Sequence, residues 1–178
     1  MLYVGIFNRN KNIHRMIQAL QSLRSEIPDL HLDVAGDGGD NEQHVLALMK
    51  QHADWITYHG RITDLEEMRL LYRANSVFVM PSKSETFGLV YIEALSQGLS
   101  VLWSRGEAIE GMFTESVGEH VNPLKKSDIV AALKRLLQHP ESYETLPSST
   151  FDTFRWRSIA QQYVSLYSHL RKLQVTNH

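Results

Sequence analysis

Short apolar runs alternate with longer segments of helical period along the 178-residue chain. Residues 3–7 form an apolar run that predicts a strand. Ile13, Met16, Ile17, Leu20 and Leu23 then recur at three- and four-residue steps, predicting an amphipathic helix over 13–25 that ends before Pro28 and Asp29. A strand over 30–35 leads into the glycine-rich turn 36–40, a helix over 41–52 and a strand over 55–59. Thr63-Asp64-Leu65-Glu66 matches a capping box, in which a hydroxyl and a carboxylate satisfy orphan amides at a helix start. Leu65, Met68, Leu71 and Tyr72 give that helix its apolar stripe. Residues 76–80 are a continuous apolar strand stopped by Pro81, and 88–97 form a helix closed by Gly98. Strands over 99–103 and 118–121 and helices over 127–138 and 156–170 complete the pattern, with the polar stretch 140–149 as a connector.

Strands that are apolar throughout and alternate with helices imply a parallel sheet covered on both faces. With right-handed crossovers this is a three-layer α/β/α, Rossmann-like parallel sheet of about six strands. A chain of this length suits one domain, spanning 1–178. In such sheets ligands bind beyond the carboxyl ends of the strands, among loops and helix amino termini. The segments to read for chemistry are therefore 8–12, 36–40, 60–64, 81–88 and 104–111.

Composition narrows the classes. Hydrophobic residues are 43% and charged residues 21%, ordinary for a globular protein, and a net charge of −2 lacks the basic excess of a nucleic-acid binder, so no nucleic-acid partner is expected. The absence of cysteine excludes disulfides and thiolate chemistry, and the nine histidines form no pair at ligand spacing, so no metal is expected. No apolar stretch reaches the ~20 residues of a membrane span. A chain that opens inside a core strand leads to the expectation that a domain precedes it. Trp55, Trp103 and Trp156 sit in or beside apolar segments and are expected in the core.

The most informative stretch is Pro81-Ser82-Lys83-Ser84-Glu85-Thr86-Phe87-Gly88-Leu89-Val90-Tyr91-Ile92-Glu93-Ala94. Gly88 permits close approach at the start of a helix. The amides of Phe87, Gly88 and Leu89 are then first-turn donors at the positive helix end, suited to a diphosphate or sugar oxygen. Glu93 lies among apolar residues and is expected to be largely buried, where a carboxylate without donors costs several kcal/mol or takes up a proton. Ribose hydroxyls would satisfy it; so would a neighbouring arginine or a backbone turn. Glu85 is either a ligand-facing acid or an exposed loop acid.

The frame P-S-x-x-E-x-F-G-L-x-x-x-E-A, with Glu85 and Glu93 at its acids, resembles the E-x7-E signature of the GT-B-fold retaining glycosyltransferases, the "group 1" (family 4) class. Other elements resemble that family in the same order. They are Tyr3-Val4-Gly5, Lys11-Asn12-Ile13, Gly36-Asp37-Gly38, His59-Gly60-Arg61, Leu71-Tyr72-Arg73-Ala74, Gly98-Leu99-Ser100-Val101, and the stretch from Phe154-Arg155-Trp156 to Gln162-Tyr163 and Leu166-Tyr167.

The resemblance implies the carboxy-terminal, donor-binding half of a two-domain enzyme, with the amino-terminal acceptor domain as its partner. It implies catalytic roles for Glu85, on the donor sugar's hydroxyls, and Lys11, on the diphosphate leaving group. It implies donor binding by Glu93 on the ribose, by the amides of Phe87, Gly88 and Leu89, and by Gly5, Arg9 and Arg61. The ligand is a UDP- or GDP-sugar, with no further cofactor. The enzyme is expected in the cytoplasm, and the whole protein is allowed a peripheral membrane association. A stripe of Ile159, Tyr163, Leu166 and Leu170 on the last helix is expected to be partly exposed. The sequence departs from the family at Ile6, where an arginine is usual; Arg9 either replaces it on the phosphates or lies on the surface. A nucleotide-sugar-binding module without turnover and a nucleotide-sugar epimerase are the alternatives. A dinucleotide dehydrogenase fits poorly, because Gly36-Asp37-Gly38-Gly39-Asp40 is not G-x-G-x-x-G.

Overall fold

The structure, a computed structural model, describes the backbone of residues 1–175 and the side chains of residues 1–169. The elements in chain order are β1 (Leu2–Val4), α1 (Ile13–Leu23), β2 (Leu32–Ala35), α2 (Glu42–Gln51), β3 (Ile56–Gly60), α3 (Leu65–Arg73), β4 (Val77–Val79), α4 (Leu89–Ser96), β5 (Ser100–Ser104), β6 (Gly118–Val121), α5 (Lys126–Gln138) and α6 (Trp156–Val175). The chain forms two compact units, one over Met1–Thr145 and one beginning at Leu146.

The first unit holds one six-stranded sheet in the order β3-β2-β1-β4-β5-β6, and every pairing is parallel. This is the Rossmann-like arrangement expected from the alternation. The strands are shorter than their apolar runs: β1 stops at Val4 and β4 at Val79, because the chain peels away where the sheet meets its ligand-side loops. β1 and β4 share a single paired position, Leu2 with Phe78. Successive strands run one way from β1 and the other way from β4, so the order reverses between them and a crevice opens at their carboxyl ends.

Right-handed crossovers place α1 and α2 on one face and α3 and α4 on the other. α5 packs on α1, and Tyr72 of α3 bonds to Glu93 of α4. The apolar stripe of α1 is fully covered, with Ile13, Met16, Ile17, Leu20 and Leu23 all at 0% exposure. Burying each such side chain contributes about 1.5–3 kcal/mol. Edge strand β3 alternates poorly: after Ile56, its residues Thr57, Tyr58 and His59 face water, as an edge of a parallel sheet can.

Two glycines fix how closely the loops approach. A Cβ on Gly36, which has φ 133°, would stand 2.0 Å from the Gly5 oxygen, so the chains leaving β1 and β2 touch only because Gly36 has no side chain. Gly118 meets Val101 in the same way, at 1.9 Å from its oxygen. The helix cap at α3 differs from expectation. Asp64, not Thr63, is the capping residue, and its Oδ1 accepts the Glu67 amide at 2.8 Å. A carboxylate one residue later competes successfully because it also offsets the positive helix end.

The second unit is a 3-10 turn, Ser148–Phe154, followed by α6. Trp156, expected in the core, is 83% exposed, and Tyr163 and Leu166 are exposed too. Leu170 lies outside the residues whose side chains are described. Trp55 and Trp103 are buried as expected. Among the described residues no helix is long and apolar enough to cross a membrane.

Candidate functional site

The crevice between β1 and β4 is where the sequence-selected loops converge. Residues 5–12 follow β1 and residues 80–88 follow β4, and three direct contacts tie them. Lys83 N donates to Asn10 O at 2.7 Å, Asn10 Nδ2 donates to Ser84 O at 2.7 Å, and Lys11 Nζ meets Glu85 Oε2 at 2.5 Å. Residues 74 positions apart in sequence thus form one ion pair, with side chains only 20% and 12% exposed.

Asn12 explains why Lys11 stands there. It is fully buried in a left-handed conformation, φ 60° and ψ 19°, at the start of α1. Its Nδ2 donates to Pro81 O at 3.1 Å and to Pro123 O at 2.8 Å, pinning the β1 loop to the loops after β4 and β6. Asparagine is among the few residues that tolerate this backbone region. Glu85 is held from the other side, since its amide donates to Glu107 Oε2 at 2.8 Å. The role of Glu107 rests on a backbone contact, which leaves no sequence signature. Tyr3 lies buried beneath the pair, and burial, reinforced by the Glu85 charge, pushes its phenol well above the ordinary range.

α4 begins at Leu89, four positions after Glu85. Gly88, with φ 69° and ψ 54°, is its cap, and no side chain closes its first turn. A Cβ on Gly88 would stand 2.6 Å from the Tyr91 ring, which is itself anchored by a hydroxyl bond to Met80 O. Phe87 and Leu89 flank this glycine and are exposed.

Glu93 corrects an expectation. It is exposed rather than buried, because Leu89, Glu93 and Ser96 share one helical face at steps of four and three, while Tyr91, Ile92, Ala94 and Leu95 turn inward. The composition of the segment hid this; its period showed it. The Tyr72 hydroxyl donates to Glu93 Oε2 at 3.0 Å, and burial together with the Glu93 charge raises the Tyr72 phenol above its ordinary range. Tyr72 and Glu93 border a shallow pocket of about 250 Å³ with Leu65, Met68, Ser96 and Gln97. The pocket offers an apolar wall, a carboxylate, an amide and the Arg69 guanidinium, which is paired with Glu66 at 2.9 Å, a set suited to a planar base with hydroxyls beside it.

The remaining sequence candidates are more dispersed. Gly5 follows β1, and its amide donates to Ala35 O at 3.0 Å. Ile6 is 44% exposed, so an apolar side chain faces solvent where a cation was expected. Arg61 is exposed just beyond β3. Arg9 is exposed and borders surface pockets with Asp40, Asn41 and His44 rather than with Lys11 or Glu85. Glu110 has a structural use: its carboxylate accepts from Trp103 Nε1 at 2.9 Å and lies 3.1 Å from His120 Nδ1. Among the described residues no cluster of histidines and carboxylates is able to hold a metal.

Comparison with known proteins agrees with the fold. The model of the family described as glycosyl transferases group 1 matches residues 1–150. The glycogen synthase of Mycobacterium tuberculosis is 28% identical over 94% of this chain and 42% of its own length. Among solved structures, a sucrose-phosphate synthase from Thermosynechococcus elongatus superposes with a TM-score of 0.77 at 30% identity, over 97% of this chain and 45% of that one. A pneumococcal O-GlcNAc transferase, crystallised with UDP and GlcNAc, has the same fold at a TM-score of 0.77 and 19% identity, over 94% of this chain and 35% of that one. The chain thus spans less than half the length of each of these proteins.

Proposed function

The chain belongs to the glycosyl transferases group 1 family, and from that premise we propose that it is the donor-binding half of a retaining glycosyltransferase of the family 4 class. The observation that carries the reading is the Lys11–Glu85 pair at the crevice, 2.5 Å apart, beside the open first turn of α4. The pneumococcal neighbour crystallised with UDP and GlcNAc supports a nucleotide-sugar as the ligand.

On this reading the base and ribose occupy the pocket bordered by Leu65, Met68, Arg69, Tyr72 and Glu93. Glu93 accepts from the ribose hydroxyls through the oxygen that Tyr72 leaves free. The diphosphate lies against the first-turn amides at Gly88 and Leu89, near Gly5, with Lys11 neutralising it. The sugar reaches Glu85 and the Phe87 backbone. In the free protein Lys11 and Glu85 satisfy each other; a bound donor supplies an anion to the first and hydroxyls to the second, so the pair opens without leaving a bare charge.

Transfer breaks the bond between the sugar's anomeric carbon and the diphosphate and forms one to an acceptor oxygen on the same face. Negative charge grows on the diphosphate as the bond breaks. A cation already fixed beside it stabilises that charge without reorganisation. The acceptor hydroxyl and leaving oxygen must be held close together, which requires an acceptor domain outside this chain. The isolated chain is therefore expected to bind the donor and not to transfer its sugar.

Titration calorimetry with UDP- and GDP-sugars tests the reading. Glu93→Gln and Lys11→Ala are each expected to weaken binding of the preferred donor by about tenfold or more, the scale of a hydrogen bond to a charged group. If neither variant weakens any nucleotide-sugar, the donor site is elsewhere. Sustained transfer by the isolated chain would contradict its assignment as half an enzyme.

A further inference from the structure

A second feature of the crevice end is a pocket of about 430 Å³ lined by Arg9, His14, Asn41, His44 and Lys83. These residues come from the β1 loop, the first turn of α1, the start of α2 and the β4 loop, so the fold and not local sequence assembles them. Neither Lys11 nor Glu85 borders it.

The pocket is electropositive without a counter-ion. Neither the Arg9 guanidinium nor the Lys83 ammonium has an ion-pair partner among the described residues. Their backbones are nonetheless fixed, Arg9 N donating to Asp40 Oδ1 at 2.8 Å and Lys83 N to Asn10 O at 2.7 Å. The His14 and His44 rings meet edge to face with centroids 6.1 Å apart, and Asn41 Nδ2 stands 3.5 Å from His14 Nδ1. α1 and α2 both open here without a side-chain cap; the positive end of α1 adds to the field, while Glu42 in the first turn of α2 offsets the end of that helix. Burial, then the charges of His44, Lys83, Arg15 and Arg9, hold the His14 imidazole below its ordinary range. Two acids, Asp40 and Glu42, line an adjoining pocket that shares Arg9, Asn41 and His44 with this one. Each is engaged with a backbone amide, Asp40 with that of Arg9 and Glu42 with that of Gly38 at 2.6 Å. Like charges gathered this closely repel one another, and a bound oxyanion reverses the sign of the interaction.

We propose that Arg9, His14, His44 and Lys83 form a second anion site that takes a phosphate group, separate from the site of the donor's diphosphate. The group belongs either to a soluble phosphorylated compound or to an anionic lipid headgroup; both present the same oxygens. Its use for an anionic acceptor rests on the donor reading above, whereas the anion site itself does not.

Inorganic phosphate is titrated into the chain and followed by NMR at the backbone amides and the His14 ring. Shifts should centre on Arg9, His14, Asn41, His44 and Lys83, and the His14 titration should move upward, because an adjacent anion favours the protonated ring. A Lys83→Ala/His44→Ala double variant is expected to weaken phosphate binding about tenfold or more while UDP affinity stays within about twofold. Glu93→Gln is expected to do the reverse, and its result judges the donor reading separately. Sulfate, whose charge is constant across this range, should bind more tightly as pH falls below the ordinary imidazole value of about 6.5.

Phosphate shifts that avoid the pocket, or that survive the double variant unchanged, overturn the proposal. Equal loss of UDP and phosphate overturns the separateness of the two sites. Vesicles of equimolar phosphatidylcholine and phosphatidylglycerol distinguish the sources. Vesicle binding competed by inorganic phosphate and lost in the double variant upholds the site as a headgroup site. Phosphate binding without vesicle binding upholds it as a site for soluble phosphates.

Discussion

Glu93 is exposed, with one oxygen engaged by the Tyr72 hydroxyl at 3.0 Å. Tyr72→Phe removes only the orienting donor and should cost about 1 kcal/mol of nucleotide affinity, less than Glu93→Gln. Calorimetry on the two variants checks the order; a larger loss from Tyr72→Phe would make the phenol, and not the carboxylate, the ligand's contact. Lys11 and Glu85 were singled out by the resemblance of their segments to the family's motifs; position alone left Glu85 as either a ligand-facing acid or an exposed loop acid. Their direct pairing was not legible, since it spans 74 positions and depends on Asn12 and Glu107, whose work is done on backbone groups. The position of Arg9 in the β1 loop left both the phosphates and the surface open; the side chain is exposed and borders a pocket with α2.

At the scale of elements, the start of α4 is the most constrained part of the site. Gly88 has φ 69°, and an added Cβ would press on the Tyr91 ring at 2.6 Å and on Ala108 Cβ at 3.1 Å. Gly88→Ala is therefore expected to destabilise the fold by about 1–3 kcal/mol through backbone strain and to shift the first-turn amides. Urea unfolding reads the first effect and nucleotide titration the second; an unchanged unfolding midpoint would contradict the constraint. Gly36→Ala should be worse, because the obstacle is the Gly5 backbone oxygen at 2.0 Å, which cannot rotate away. The order and type of the elements were readable from period and punctuation. Boundaries were less so: β1 stops at Val4 although Gly5, Ile6 and Phe7 continue its apolar run, because those residues serve the loop against β2. The face of α4 was misjudged from its apolar composition, which counts neighbours in sequence when only those three and four apart share a side.

At the scale of the molecule, acid stability has a defined sign. Burial pushes Asp33, Glu110 and Glu119 upward, but hydrogen bonds outweigh it. His59 and Asn75 hold Asp33 below the usual carboxylate range, Trp103 and His120 do so for Glu110, and Arg135 and Tyr143 for Glu119. Their contribution is fully present above the unfolded values near 4 and is lost as pH falls through the lower folded values. Urea midpoints should be flat near neutrality and fall steeply below about pH 4, and Asp33→Asn should reduce that fall; an equally steep fall in the variant would contradict the assignment. The chain covers 42% of the Mycobacterium glycogen synthase and 45% of the Thermosynechococcus sucrose-phosphate synthase.

NMR mapping of a bound nucleotide-sugar on the isolated chain addresses the central claim most directly. Shifts are predicted along one continuous track, from Leu65 and Tyr72 through Glu93 and the amides of Gly88 and Leu89 to Lys11 and Glu85. Shifts gathered instead on the far end of the sheet, or no shift for any UDP- or GDP-sugar, would contradict it.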